Sequence, residues 1–422
     1  MSAPLYLANA THIDARTHAI VRGHLRVDAG PGGTVSFVDV VPPGANVIDV
    51  SGRIVTRAFA VGHHHVYSAL ARGMPAPPRS PRSFVEVLEL IWWRLDRCLD
   101  HDMIVASALV TAIDAARCGS TFVIDHHSSP HAIPGSLEAI AAAFDQVGVG
   151  HLLCIELSDR DGPAAAEAGL AETDAYLARR PGLVGLHASF TVGDELLAKA
   201  VALAQRHDTG LHVHVAEATS DEDHAVATYG RRVIRRFADA GVLASPRTLL
   251  AHCLHLDATE RALVVESPAW VVQNTESNTN NAVGQFDPRG LGSRVLLGTD
   301  GMHSDMLGSL RAAFLAGQTT GGLSPAAAVS RLYRVRDYLA ESGVVTGDND
   351  LVVLDYDPPT PVTSENWAGH VAYGLSRAHV QTVIAAGRPI VRDRAITTVN
   401  ESEILAEARV QAARLWSALG EV

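Results

Sequence analysis

Long apolar runs are missing from this chain. No stretch reaches the ~18 consecutive apolar residues that a membrane-spanning helix requires, so no membrane-embedded segment is expected. Met1-Ser2-Ala3-Pro4-Leu5 lacks a basic segment leading into an apolar one, so no secretory signal is expected either. Cysteine is scarce: Cys98, Cys118, Cys154 and Cys253 follow neither zinc-finger spacing nor a disulfide framework. They read as reduced thiols of a cytoplasmic protein. Positive charge is also short, with 34 Lys and Arg against 46 Asp and Glu and a formal net charge of -12. Nucleic acid and anionic membrane surfaces demand a basic patch, so neither is an expected partner. Internal repeats and low-complexity tracts are absent as well.

What the chain does hold is ample core and many histidines. It is 422 residues long and 47% apolar, enough for one large domain and a smaller one. Its 21 histidines are about twice the usual share for this length. Residues 1–55 read as short strands punctuated by Gly30-Pro31-Gly32-Gly33 and Pro42-Pro43-Gly44. They need a partner, and Leu351–Tyr356 with Val380–Val391 supplies further strands. The expectation is a small β-sandwich domain formed by 1–55 and 346–400, with a C-terminal helix over 401–422. Between them, 56–345 alternates apolar strands (starting with 54–61) and amphipathic stretches. Eight strands separated by helices predict an α/β fold, a closed (β/α)8 TIM-like barrel.

Such barrels carry their chemistry at the C-terminal ends of the strands. Those ends hold His63 and His65, Asp125-His126-His127, His187, His214, His252, Asn274 and Asp300. Alternation along a strand turns His63 and His65 the same way and His64 the other, so the pair can grip one metal. Imidazoles plus a carboxylate, with no thiolate, suit Zn²⁺ or Fe²⁺ with an open position for water. Such a metal lowers the pKa of its water from 15.7 towards about 7. A hydrolase then needs a proton shuttle, and Glu217 stands three residues beyond His214.

Several stretches together resemble the amidohydrolase superfamily. They include His63-His64-His65-Val66-Tyr67-Ser68-Ala69-Leu70-Ala71-Arg72-Gly73, Leu90-Ile91-Trp92-Trp93-Arg94-Leu95-Asp96, Val123-Ile124-Asp125-His126-His127 and Gly185-Leu186-His187-Ala188-Ser189-Phe190-Thr191. His212-Val213-His214-Val215-Ala216-Glu217, Ala251-His252-Cys253-Leu254-His255-Leu256 and Gly298-Thr299-Asp300-Gly301 complete the set. The branch is the aminohydrolase/chlorohydrolase group, with guanine and S-adenosylhomocysteine deaminases and, in particular, the SsnA-type aminohydrolases. The resemblance implies His63, His65, His214 and Asp300 as ligands of one divalent metal, Zn or Fe. It implies Glu217, His252 and Asp300 as catalytic residues, and His187 as a substrate contact. Asp125, His127, Trp93, Asn278 and His303 are further candidate substrate contacts.

The implied function is a mononuclear metal-dependent deaminase that releases ammonia from an amino-substituted heterocycle or amidine. Hydrolysis of a cyclic amide C–N bond, or displacement of another leaving group, is the alternative at the same centre. A non-catalytic binding protein on this scaffold is the alternative from another class. A small-molecule substrate and a homodimer are the implied partners. The sequence departs from the usual pattern at Gln273–Asn281, where a rigid Pro and an apolar Met are lost, which predicts a reshaped pocket.

Overall fold

The computed structural model describes residues 3–421; Met1, Ser2 and Val422, at the outer ends of the expected small β domain and C-terminal helix, lie outside them. Two sheets organise the chain. One has eight parallel strands in sequence order: Phe59–His64, Ser120–His127, Gly150–Leu157, Val184–Ala188, Leu211–Val215, Leu249–His252, Trp270–Gln273 and Val295–Leu297. These are near-continuous apolar runs because helices cover the outer face while the inner face fills the barrel. Val61, Val123, Val213, Leu250, Val272 and Leu296 are all fully buried. The ring closes between its first and last strands. A parallel bridge joins His64 to Asp300, and the Thr299 and Asp300 N–H groups both donate to the His63 carbonyl at 3.0 Å.

The second sheet is mixed and nine-stranded, built from both ends of the chain. Leu5–Ile13 pairs with Ile20–Val27, Asn46–Asp49 and Ile54–Arg57, and Leu351–Leu354 connects these to Val380–Ala385. The expected sandwich is therefore one connected sheet folded over its own core of Leu7, Leu25, Val55, Val353 and Ile384.

The stretch 54–61 is not one strand. Ile54–Arg57 belongs to the mixed sheet and Phe59–His64 to the barrel, so the boundary expected after residue 55 falls inside a strand. The chain changes sheets at Ala58, which leaves carbonyls turned away from both ladders. Arg336 satisfies them: its guanidinium donates to Ala58 O (3.2 Å) and Phe59 O (3.0 Å), to Asp350 (2.8 Å), and to the Thr121 hydroxyl. Backbone polar groups buried without partners would cost stability, so this arginine makes the switch possible.

Two long helices, Met306–Thr320 and Pro325–Glu341, follow the eighth strand, and Glu401–Leu419 packs beside His101–Arg117. Trp416 of that last helix donates to Leu70 O at 2.9 Å and braces the segment after the first barrel strand. The proline-rich loop 72–82 leads to Ser83, whose hydroxyl caps Phe84–Val87. The next turn, Leu88–Trp92, is wound as a π-helix, a geometry frequent at functional sites. Among the described residues no helix is long and apolar enough to cross a membrane.

Candidate metal centre and catalytic cleft

A cleft of about 630 Å³ opens at the C-terminal mouth of the barrel. His65, His214, Glu217 and Asp300 form part of its floor, with His63 and His252 buried beneath. His63, His214, His252 and Asp300 each offer one ligand atom, all within 4.8 Å of one another.

Every one of these imidazoles is aimed by a bond on its outer nitrogen. His63 Nδ1 meets His212 Nε2 at 2.8 Å. His65 Nδ1 donates to His126 O at 2.6 Å, and His214 Nδ1 to His187 O at 2.8 Å. His252 Nδ1 donates to the Asn278 side-chain oxygen at 2.7 Å. Fixing Nδ1–H in this way turns the Nε2 lone pairs inward, as outer partners do in metal sites.

The inward-facing atoms are a crowd of acceptors. His65 Nε2 and His214 Nε2 stand 3.2 Å apart, and Asp300 Oδ1 is 2.9 Å from His65 Nε2 and 3.5 Å from His63 Nε2. His63 Nε2 is buried with no hydrogen-bond partner. Two nitrogens bound tetrahedrally at ~2.05 Å from one ion would be about 3.3 Å apart. The donor set therefore fits a small divalent cation. Burial opposes charge on His65, yet hydrogen bonding to Asp300 lifts its pKa to about 9, so the cluster draws positive charge inward. Burial alone would raise Asp300, but His63 and His65 hold its carboxyl well below the usual range. Three ligand groupings are possible here, and all share His214. With its Nδ1 committed, His214 has one nitrogen to give, which limits it to one ion.

Strained backbone shapes the mouth. Ala216, His252, Cys253 and Asp300 all have positive φ (45°, 72°, 54° and 53°), conformations that non-glycine residues hold only when their surroundings enforce them. The enforcement is visible: Cys253 N–H donates to Val215 O at 2.9 Å, and Ala216 N–H to Asp221 Oδ2 at 2.9 Å. These ties turn Glu217 back over the barrel, with its Oε2 at 3.5 Å from His252 Nε2. Burial pushes Glu217 up to about 7; His252 works against the rise and Asp300 adds to it. A carboxyl poised there holds or releases a proton at neutral pH.

The candidate substrate contacts separate into two groups. Trp93 and His187 line the cleft. Asn278 reaches it only through His252, while its neighbours Ser277, Asn280 and Asn281 form the wall, on or just after the short helix Thr275–Asn280. Asn281 donates to Glu217 at 3.4 Å. Asp125, His127 and His303 do not line the cleft. Asp125 accepts from Val66 N at 2.7 Å, and His127 bonds the Ser129 hydroxyl at 2.9 Å, both wholly buried. His303 pairs with Glu276 at 3.0 Å and faces a neighbouring cavity. They stand on strand ends or after them, but alternation and bulges turn them outward or behind the wall.

Sequence reasoning missed Phe84, Leu88, Asp96, Glu156 and Met302, all in the lining. Glu156 had a signal: it lies at the end of the third strand, which runs to Leu157 rather than stopping at Ile155.

Comparison with known proteins agrees with this geometry. The model of the amidohydrolase family matches residues 55–331. A 5-methylthioadenosine/S-adenosylhomocysteine deaminase of Halobacterium salinarum is 30% identical over 419 residues, covering 94% of this chain and 95% of that protein. A 5'-deoxyadenosine deaminase of Methanothermobacter thermautotrophicus is 26% identical over 393 residues, covering 87% and 89%. Among solved structures, an adenosine deaminase from Xanthomonas campestris with bound zinc shares the fold at TM-score 0.84 and 19% identity, covering 98% of this chain and 99% of that one. Atrazine chlorohydrolase from Arthrobacter aurescens, complexed with zinc, does so at 0.83 and 16%, covering 97% and 100%.

Proposed function

Because the chain belongs to the amidohydrolase family, we propose that it is a metal-dependent deaminase, releasing ammonia from an amino-substituted heterocycle or amidine. The observation that carries this reading is Glu217, a buried carboxyl near neutrality, set against His252 above a converging His/Asp cluster. The deaminase names of relatives that span nearly the whole chain support it.

His63, His65, His214 and Asp300 would hold one divalent ion, zinc before iron. That ion supplies Lewis acidity, which makes water nucleophilic at neutral pH. The chain's own groups do the rest. Asp300 Oδ2, 3.8 Å from His252 Nε2, takes a proton from the attacking water. His252, fixed by Asn278, orients the incoming oxygen. Glu217 delivers its proton to the ring nitrogen beside the amino-bearing carbon, then relays to the departing ammonia the proton that Asp300 took, and is restored by the second proton of the water. The buried floor keeps these transfers out of bulk solvent. The assembly proposed is a homodimer, which light scattering checks.

Ammonia release from a panel of amino-purines, amino-pyrimidines and amidines tests the reading. Turnover with ammonia as product supports it. Hydrolysis of cyclic amides by the same preparation, without ammonia, would overturn it.

A further inference from the structure

The Glu156 carboxyl lines the cleft, and its side chain is only 4% exposed. It offers an atom within 4.8 Å of one on His187 and one on His214, and it has no role in the reaction outlined above. Its nearest basic neighbours are beyond hydrogen-bond reach: the neutral His126 ring, with Nδ1 at 3.6 Å from Oε2, and Arg160 Nη2 at 3.9 Å from Oε1.

Neither neighbour is free to serve it. His126 Nε2 lies 3.1 Å from Leu186 O and 3.2 Å from His212 O, two acceptors, so its proton sits on Nε2. Its Nδ1 is therefore a bare lone pair, and it is buried without a partner. Arg160 is engaged by Asp96, by Asp161 at 3.1 Å and by the Ser128 hydroxyl at 3.1 Å.

The adjoining group repeats the pattern. The Thr191 hydroxyl donates to Ala188 O at 3.2 Å, so it accepts from His187 Nδ1–H at 2.6 Å. His187 Nε2 is left as an acceptor. Glu156 and His187 each place a ligand atom within 4.8 Å of the other's. Both groups therefore present acceptor atoms to the cleft.

We infer that Glu156, with His187 beside it, is the specificity-determining subsite that receives N–H donors from the edge of the heterocycle that faces it. The inference rests on the deaminase reading for the orientation of the ring. The substrate class it selects is an amino-heterocycle with a free ring N–H on that edge, rather than one alkylated there. Burial pushes Glu156 up to about 7 against the pull of Arg160, so near neutrality at least one of its oxygens accepts in either ionisation state.

The test uses three matched pairs: guanine and 9-methylguanine, cytosine and 1-methylcytosine, adenine and 9-methyladenine. Calorimetric binding to the zinc-loaded protein is measured alongside ammonia release, for wild type, Glu156→Leu and Glu156→Ala. In at least one pair the wild type should bind the free N–H form about tenfold or more tightly than its methylated partner, the loss expected when a buried acceptor goes unpaired. In both variants, shown to be folded by retained zinc, the ratio should collapse to within about twofold. No discrimination by the wild type within any pair, or a ratio that survives in both variants, overturns the inference. Ammonia release without discrimination leaves the deaminase reading standing alone; discrimination without ammonia release leaves this subsite standing alone.

Discussion

Two buried polar clusters, one at each end of the barrel, are built in opposite ways. At the base, Arg336 is wholly enclosed, yet its guanidinium meets Asp350, two backbone carbonyls and Thr121. At the mouth, His63 Nε2 is buried with no hydrogen-bond partner where ligand atoms of His214, His252 and Asp300 converge. Satisfied polar groups make a joint; unsatisfied ones facing a common point make a site. Positive φ at Ala216, His252, Cys253 and Asp300 adds strained backbone to the mouth. The two ends thus divide stability from chemistry, as barrel enzymes do.

Breaking the mouth should have the largest effect and leave the base intact. Glu217→Gln removes the proton shuttle, and ammonia release should fall by roughly three orders of magnitude or more while metal content and melting temperature stay near wild type. Breaking the base should do the reverse. Arg336→Met strands Asp350 and two carbonyls, and should lower unfolding free energy by about 3–5 kcal/mol in denaturant titration. Activity per folded molecule should change little. A large activity loss in folded Arg336→Met would show that the two ends are not separable.

Sequence patterning foretold the barrel and the meeting of His63, His65, His214, His252, Asp300 and Glu217 at its mouth, because strand ends must converge in this fold and periodicity reveals strand ends. The sheet switch at Ala58 was hidden, since 54–61 is apolar throughout and nothing local marks where one ladder gives way to another. Asp125 and His127 show the second limit. They end a strand as His63 does, but register shifts beside the first strand decide which face they present. Glu156 was lost to a two-residue error in where a strand stops. Residues such as Phe84 and Met302 reach the cleft from loops whose course only tertiary packing sets.

Smaller effects sharpen the contrast. Asn278→Ala frees His252 to rotate and should lower kcat about 10–100-fold, with KM moving less, as loss of an outer-shell partner does. Asp221→Asn tests the strained turn through pH. Burial pushes Asp221 up to about 7, against hydrogen bonds from Ala216 and Phe190 N–H. The unfolded chain releases this proton at about 4, so between about 4 and 7 the folded state binds more protons. This group's contribution to stability should therefore decline as pH rises across that window and level off above it. Unfolding free energies measured from pH 4 to 8 should show a shallower decline in Asp221→Asn; identical slopes would remove Asp221 from the account.

The central claim is that the converging His/Asp cluster at the mouth holds one metal ion. Elemental analysis of protein purified without chelator, for wild type and a His63→Ala/His65→Ala variant, tests it most directly. The account predicts about one zinc or iron per wild-type chain, and none in the variant. A wild type that takes up no stoichiometric metal even after reconstitution, or a variant that keeps it, would contradict the account.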